Sequence, residues 1–220
     1  VIFWRVVRTI VVGVCTGIFR VRVIGRDRVP PSGAYVIAPS HRSILDVPFA
    51  AGITRRRIRF LAKQELFSGR VGGALFPRLG GIPVERGTTD RAALRACDAV
   101  LVEGDPLAIF PEGTRRRGPV LGDLFHGVAY LALKRGVPIV PVGVGGSEEI
   151  LPSGRTLPRP HRVVVVVGEP IVPDASMSAR RRSDVAALTA TLTARLQSCF
   201  DEARQRAGTA ALPGEVREDA

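Results

Sequence analysis

Ser40-His41-Arg42-Ser43-Ile44-Leu45-Asp46 places a histidine five residues before an aspartate, directly after the apolar run AYVIAP. An imidazole oriented by a carboxylate can take a proton from a hydroxyl. Side chains five apart on an ideal helix diverge by about 140°. His41 and Asp46 can therefore meet only if His41 lies in the turn entering a helix and Asp46 lies one turn inside it. Asp46 would then bond one ring N–H, fix the tautomer and leave the other nitrogen open. Taken alone, the spacing reads more readily as a surface histidine at a helix start beside a solvated aspartate.

Phe110-Pro111-Glu112-Gly113-Thr114-Arg115 is a second candidate. Pro111 and Gly113 force an irregular turn beyond a strand end, where α/β sheets place ligands. Glu112 could accept from a hydroxyl and Arg115 could grip a phosphate in two-pronged fashion. Backbone N–H groups around Gly113 could face an oxyanion. The bland alternative is a turn closed by an internal Glu–Arg pair. In GGIPVERG, Arg86 is another phosphate candidate, or a solvated strand-end arginine. Lys63, at the end of RIRFLAK, offers a cation or a solvated lysine. VPIVPV, residues 137–142, has no reactive group and suits a wall or an acyl-chain contact. His126 and His161 have no carboxylate at a comparable spacing and are expected to be structural or exposed.

Alternating patterns must position these residues. FRVRVIGRD reads as a half-exposed strand, AYVIAP as a buried one, and Ser40 as the N-cap of a helix to about Ile53, kinked at Pro48. A strand at 57–63, a Gly-rich helical stretch, a short strand IPVER and an amphipathic helix from Thr88 to Glu103 follow. Ala92, Leu94, Cys97, Leu101 and Val102 are the expected inner face of that helix. PLAIF is a strand, GVAYLALKRG a helix ended by Gly136, and VPIVPVGV a strand whose prolines suggest an edge or bend. HRVVVVVGEP is a buried strand, and about Ser178 to Arg206 the last helix. Strands alternating with helices predict an α/β fold: a single domain with a mostly parallel or mixed central sheet flanked by helices. The expected division is an N-terminal apolar helical segment over 1–19, one domain over 20–206, and a disordered tail over 207–220.

The net charge of +12 favours anionic partners. Lysine occurs only at Lys63 and Lys134, so much of the arginine content reads as coding bias rather than function. Three scattered cysteines, Cys15, Cys97 and Cys199, form no disulfide or metal pattern and suit a reducing compartment. Scattered histidines without HExxH argue against a metal, and neither GxxxxGK[ST] nor a helix-opening GxGxxG occurs. Few aromatics and no nucleic-acid signature argue against a nucleic-acid partner. The opening VIFWRVVRTIVVGVCTGIF has only eleven uninterrupted apolar residues, Thr9 to Phe19. That is short of the roughly 20 a spanning helix needs. It fits an interfacial helix, with Phe3 and Trp4 at the boundary, or an ordinary N-terminal helix packed on the domain, and lacks a signal-peptide cleavage site.

Taken in order, SHRSILD, GGIPVERG, FPEGTRRR and VPIVPV resemble the motif set of the PlsC-like lysophosphatidic acid acyltransferase family over roughly residues 20–170. Ser40 stands where many members have Asn, and Arg116 where many have Ser. The resemblance implies transfer of a fatty acyl group from acyl-CoA or acyl-carrier protein to the hydroxyl of 1-acyl-glycerol-3-phosphate, giving phosphatidic acid for phospholipid biosynthesis. Another lysolipid, glycerol-3-phosphate or a glycolipid is the alternative acceptor. It implies no cofactor, and His41 and Asp46 as the catalytic pair. Lys63, Arg86, Glu112, Gly113, Thr114 and Arg115 are the implied substrate contacts. The implied setting is the cytoplasmic face of the cell membrane, on anionic lipid.

Overall fold

The computed structural model describes residues 2–84, 91–150 and 159–209. A seven-stranded mixed sheet forms its centre. The strands are β1 (Arg22–Ile24), β2 (Val36–Pro39), β3 (Arg59–Lys63), β4 (Gly81–Val84), β5 (Leu107–Ala108), β6 (Ile139–Gly145) and β7 (Val164–Val167). Their order is β1-β7-β6-β2-β5-β3-β4. All neighbours run parallel except β6 and β7, so the expected α/β class with a mixed sheet holds. The helices are α1 (Ile2–Phe19), α2 (Asp46–Ala51), α3 (Gly69–Leu79), α4 (Arg91–Val102), α5 (Gly127–Arg135), α6 (Ser147–Ile150) and α7 (Arg182–Ala207).

Both faces of the sheet are covered, which explains why its central strands read as continuous apolar runs. On one face Val36 and Ala38 of β2 pack with residues of α4, α5 and α7, among them Cys97, Leu131 and Phe200. On the other, Tyr35 and Ile37 pack with Cys15 and Phe19 of α1 and Phe49 of α2. The valines of β7 divide the same way: Val165 and Val167 face α1, while Val164 and Val166 face α7.

Several expectations change. β6 lies inside the sheet, between β7 and β2, not at an edge. Pro141 is tolerated there because its carbonyl, and therefore its donor-less nitrogen, faces β7 where that strand gives way. Gly168 donates to Pro141 O at 2.9 Å, and pairing resumes only at Ile171. The buried face of α4 is Ala93, Cys97, Val100 and Leu101, at i, i+4, i+7 and i+8, while Val102 is exposed. Its expected start at 88–90 lies outside the described residues. Helix α7 includes Ala207 and ends at Gly208, in a left-handed conformation, so the expected tail boundary at 207 is too early. Residues 210–220 lie outside the described residues.

Helix α1 packs through Cys15 and Phe19, whose ring meets Phe49 edge-on at 6.1 Å. Its other side exposes Val6, Ile10, Val14 and Ile18. Among the described residues, no helix is long and apolar enough to cross a membrane.

Strand β6 touches α7 backbone to backbone. A Cβ on Gly143 would lie 2.2 Å from the Cys199 carbonyl group, and one on Gly145 2.3 Å from Ala203 C. Gly143→Ala or Gly145→Ala is expected to lower unfolding free energy by about 1–3 kcal/mol or more. Gly17→Ala, with open space around its Cβ position in α1, should be neutral or stabilise by up to about 1 kcal/mol. Urea denaturation of the three variants checks the contrast.

Candidate active site

Five parallel strands end on one edge of the sheet, and the loops after them carry the candidate residues. Between β2 and α2, residues 40–45 do not form the expected helix. The backbone N–H groups of Arg42 and Ser43 donate to Asp46 Oδ2 at 2.6 and 2.7 Å. Those donors are therefore spent on a carboxylate rather than on a helical ladder. Helix α2 begins at Asp46 itself, so the aspartate opens the helix instead of lying one turn inside it. Pro48 then falls in the first helical turn, where its missing N–H has no partner to lose, and it introduces no kink. Ser40 does not cap the helix; its hydroxyl accepts the Val144 N–H at 3.0 Å and ties β2 to β6.

This wrapping turns His41 back toward Asp46. Nδ1 lies 3.2 Å from Asp46 Oδ2. A carboxylate only accepts, so Nδ1 carries the proton and donates, and Nε2 is the nitrogen left with a lone pair. The Phe110 ring lies against the imidazole at 4.1 Å between centroids. His41 is buried but for 8% of its surface, and Asp46 is wholly buried. The surface histidine beside a solvated aspartate is thus excluded by geometry.

The loop after β5 lies on the same side. Glu112 is fully buried, and its oxygens are taken by the chain itself. The His41 backbone N–H donates to Oε2 at 3.0 Å, Arg42 Nη1 donates at 2.9 Å, and the Gly122 N–H donates to Oε1 at 3.1 Å. Glu112 therefore does not take an acceptor hydroxyl, as the sequence suggested. It fastens the histidine loop to its own loop. The internal Glu–Arg pair exists, but with Arg42 rather than Arg115.

Arg42 is the functional residue that sequence reasoning missed. Its side chain, 1% exposed, also donates to the carbonyls of His41, Gly118 and Val120. Its guanidinium lies 4.6 Å from the Phe200 ring centroid in α7. Gln197, one turn earlier, accepts the Leu121 N–H and donates to Pro119 O, holding the far end of the same loop. In a chain so rich in arginine, the only available signal for Arg42 was its place between His41 and Asp46.

Among the other expected contacts, Arg115 is exposed and Thr114 half-buried, and the next residue, Arg116, donates its N–H to the His41 carbonyl at 2.9 Å. The Gly113 N–H donates to Phe110 O, so it does not itself face an oxyanion. Gly113 is required by its φ of +66°, and by the Phe125 ring 2.5 Å from where a Cβ would stand. Lys63 ends β3 on the same sheet edge. Arg86 lies outside the described residues. His126 is exposed and within 3.0 Å of the Thr189 hydroxyl, and His161 is half-buried with Nδ1 2.9 Å from the Arg162 carbonyl.

A further carboxylate stands near. Burial pushes Glu148 of α6 up to about 7, against the pull of Arg204 and Arg42 and with a smaller push from Asp46. At neutral pH it therefore places only part of a second negative charge beside the dyad. Neither the Ser40 nor the Ser43 hydroxyl bonds the imidazole: Ser40 accepts from Val144 and Ser43 from Leu45. Cys15, Cys97 and Cys199 are buried in the helical layers. The arrangement presents a base without a paired serine or cysteine nucleophile among the described residues.

The family model described as Acyltransferase matches residues 20–145, which include both loops. The chain belongs to the acyltransferase family. It is similar to the 1-acyl-sn-glycerol-3-phosphate acyltransferase of Bacillus subtilis, with 28% identity over 80% of this chain and 86% of that one. A 1-acyl-sn-glycerol-3-phosphate acyltransferase of Chlamydomonas reinhardtii is 30% identical over 71% of this chain, which spans about half (48%) of that longer protein. The crystal structure of the 1-acyl-sn-glycerophosphate acyltransferase PlsC of Thermotoga maritima superposes with a TM-score of 0.68. It covers 87% of this chain and 80% of that one at 24% identity, and shares the fold.

In this acyltransferase, removing the charge of Glu112 would leave Arg42 buried without its counter-ion. Glu112→Gln is expected to lower stability by about 3–5 kcal/mol. Arg115→Ala, at an exposed position, should stay within about 0.5 kcal/mol of wild type. Chemical denaturation measures both. A Glu112 whose job was to touch substrate would instead raise KM and leave the unfolding curve alone.

Proposed function

We propose that this acyltransferase moves a fatty acyl group from an acyl-thioester to the hydroxyl of 1-acyl-glycerol-3-phosphate, forming phosphatidic acid. The observation that carries the reading is the His41–Asp46 pair: Nδ1 occupied by Asp46 Oδ2, and Nε2 open beside a loop that bears Arg115. The substrate class is supported by the named relatives and by the exposed Arg115, Arg116 and Arg117 of the loop after β5.

His41 Nε2 takes the proton of the acceptor hydroxyl as its oxygen attacks the thioester carbonyl. Asp46 stabilises the imidazolium that forms. The tetrahedral intermediate collapses, the C–S bond breaks, and the imidazolium returns its proton to the departing thiolate. Transfer is direct, without an acyl-enzyme, in keeping with the serine and cysteine placements above. The Cys199 thiol, pushed up to about 11 by burial, is no nucleophile at neutral pH. Acyl-CoA or acyl-carrier protein serves as donor, and no cofactor takes part. Arg115, with Arg86 and Lys63, meets the acceptor phosphate, and Thr114 borders it.

The exposed stripe of α1 spans Val6 to Ile18, and Arg5 and Arg8 lie near its start. It supports a location on a membrane surface, with the helix lying in the headgroup region; the face we propose is the cytoplasmic one.

Release of free thiol from acyl-CoA in the presence of lysophosphatidate tests the reading. His41→Ala should lower turnover by about 10²–10⁴-fold or more with the unfolding curve kept. Arg115→Ala should act mainly by raising KM for the acceptor. Unchanged turnover in His41→Ala would refute the assignment of the base.

A further inference from the structure

A cavity lies at the far end of α2 from Asp46. It is about 460 Å³ in volume and opens between α1, β1 and α2, with apolar walls from Val12, Cys15, Val23 and Phe49, and with Arg22 and Arg26 on its wall. It sits by the carboxyl end of α2, while Asp46 begins that helix. Six residues at 1.5 Å each set the two ends about 9 Å apart.

Arginines gather around this cavity. Arg8 donates to the Ala51 and Gly52 carbonyls, and Arg26 also donates to Gly52 O, at 3.1 Å. Burial, with the nearby charges of Arg26 and Arg55, lowers the Arg8 guanidinium from its ordinary value. One cation suffices to satisfy the last carbonyls of a helix; here two arginines donate to them, with Arg55 near enough to act on Arg8. Among the described residues no carboxylate lies within 4 Å of Arg22, Arg26 or Arg55. A concave apolar pocket beside uncompensated guanidinium groups is complementary to a chain that ends in a phosphate.

We propose that the α1–β1–α2 cavity binds an anionic lipid, separately from the dyad: the apolar walls take part of an acyl chain, and Arg22 and Arg26 hold its phosphate. Helix α1, which the membrane-surface reading above lays in the headgroup region, forms one wall of the cavity. Val12, Cys15 and Thr16 face the cavity, while Val6, Ile10, Val14 and Ile18 occupy the opposite side of the same helix. The apolar lining favours a membrane lipid over free phosphate as the source. The inference concerns binding alone, so its failure leaves the acyl-transfer reading intact.

Cys15 lines the cavity and reports on it. Its thiol, raised by burial, should react slowly with iodoacetamide at mildly alkaline pH, and peptide mass spectrometry separates it from Cys97 and Cys199. Dodecyl phosphate at ten times its dissociation constant, below its micelle concentration, should slow Cys15 labelling by about tenfold. Inorganic phosphate should leave the rate unchanged, and dodecyltrimethylammonium should protect far less than dodecyl phosphate. Arg22→Glu, at an exposed strand position, and the milder Arg26→Gln should each return the rate most of the way to the unliganded value. No protection by dodecyl phosphate overturns the proposal. So does equal protection by the cationic amphiphile, protection by inorganic phosphate alone, or equal slowing at Cys199, which would report general tightening of the fold.

Discussion

Asp46 Oδ2 gathers three donors: the Arg42 and Ser43 backbone N–H groups and the His41 imidazole. The rest of the site depends on that one oxygen. A wholly buried carboxylate must be hydrogen-bonded or neutralised. Supplying the two backbone donors forces residues 40–45 out of helical geometry and around the side chain. The same wrapping delivers His41 Nδ1 to the third position. The tautomer, the direction of Nε2 and the start of α2 are thus one event, and changing Asp46 changes all three.

Glu112 does the equivalent work from the other side. It takes the His41 N–H and the Arg42 guanidinium, so the loop after β2 and the loop after β5 share one buried ion pair. Arg42 has further carbonyl acceptors and an aromatic neighbour, which offsets the desolvation of a buried charge. Phe200 and Gln197 carry this support to α7, and the glycines of β6 bring α7 close enough to give it. The His41 imidazole is therefore held by rigid elements of the sheet and its last helix, not carried on a free loop.

Much of this was legible in the sequence because the signals were local. The α/β alternation, the apolar runs at 34–39 and 163–167, and the glycine that ends α5 follow from periodicity and turn chemistry. His41 and Asp46 stood out by spacing. What was not legible was set by distant partners. Glu112 looked like a substrate ligand because its position beyond a strand end is shared by structural and reacting carboxylates alike. Only the fold shows both oxygens already occupied. Pro141 looked like an edge marker because the sequence does not reveal that β7 breaks opposite it. Residues 40–45 looked helical because no local rule says that two N–H groups will prefer a carboxylate three or four residues ahead.

The central claim is that Asp46 holds the neutral His41 ring with its proton on Nδ1 and its lone pair on Nε2. Nitrogen-15 NMR of histidine-labelled protein, with His41 assigned by substitution, tests this directly. The account predicts a protonated-type Nδ1 shift and an unprotonated-type Nε2 shift for the neutral ring, with that preference lost in Asp46→Asn. A neutral His41 protonated on Nε2, or a tautomer unchanged by Asp46→Asn, would contradict it.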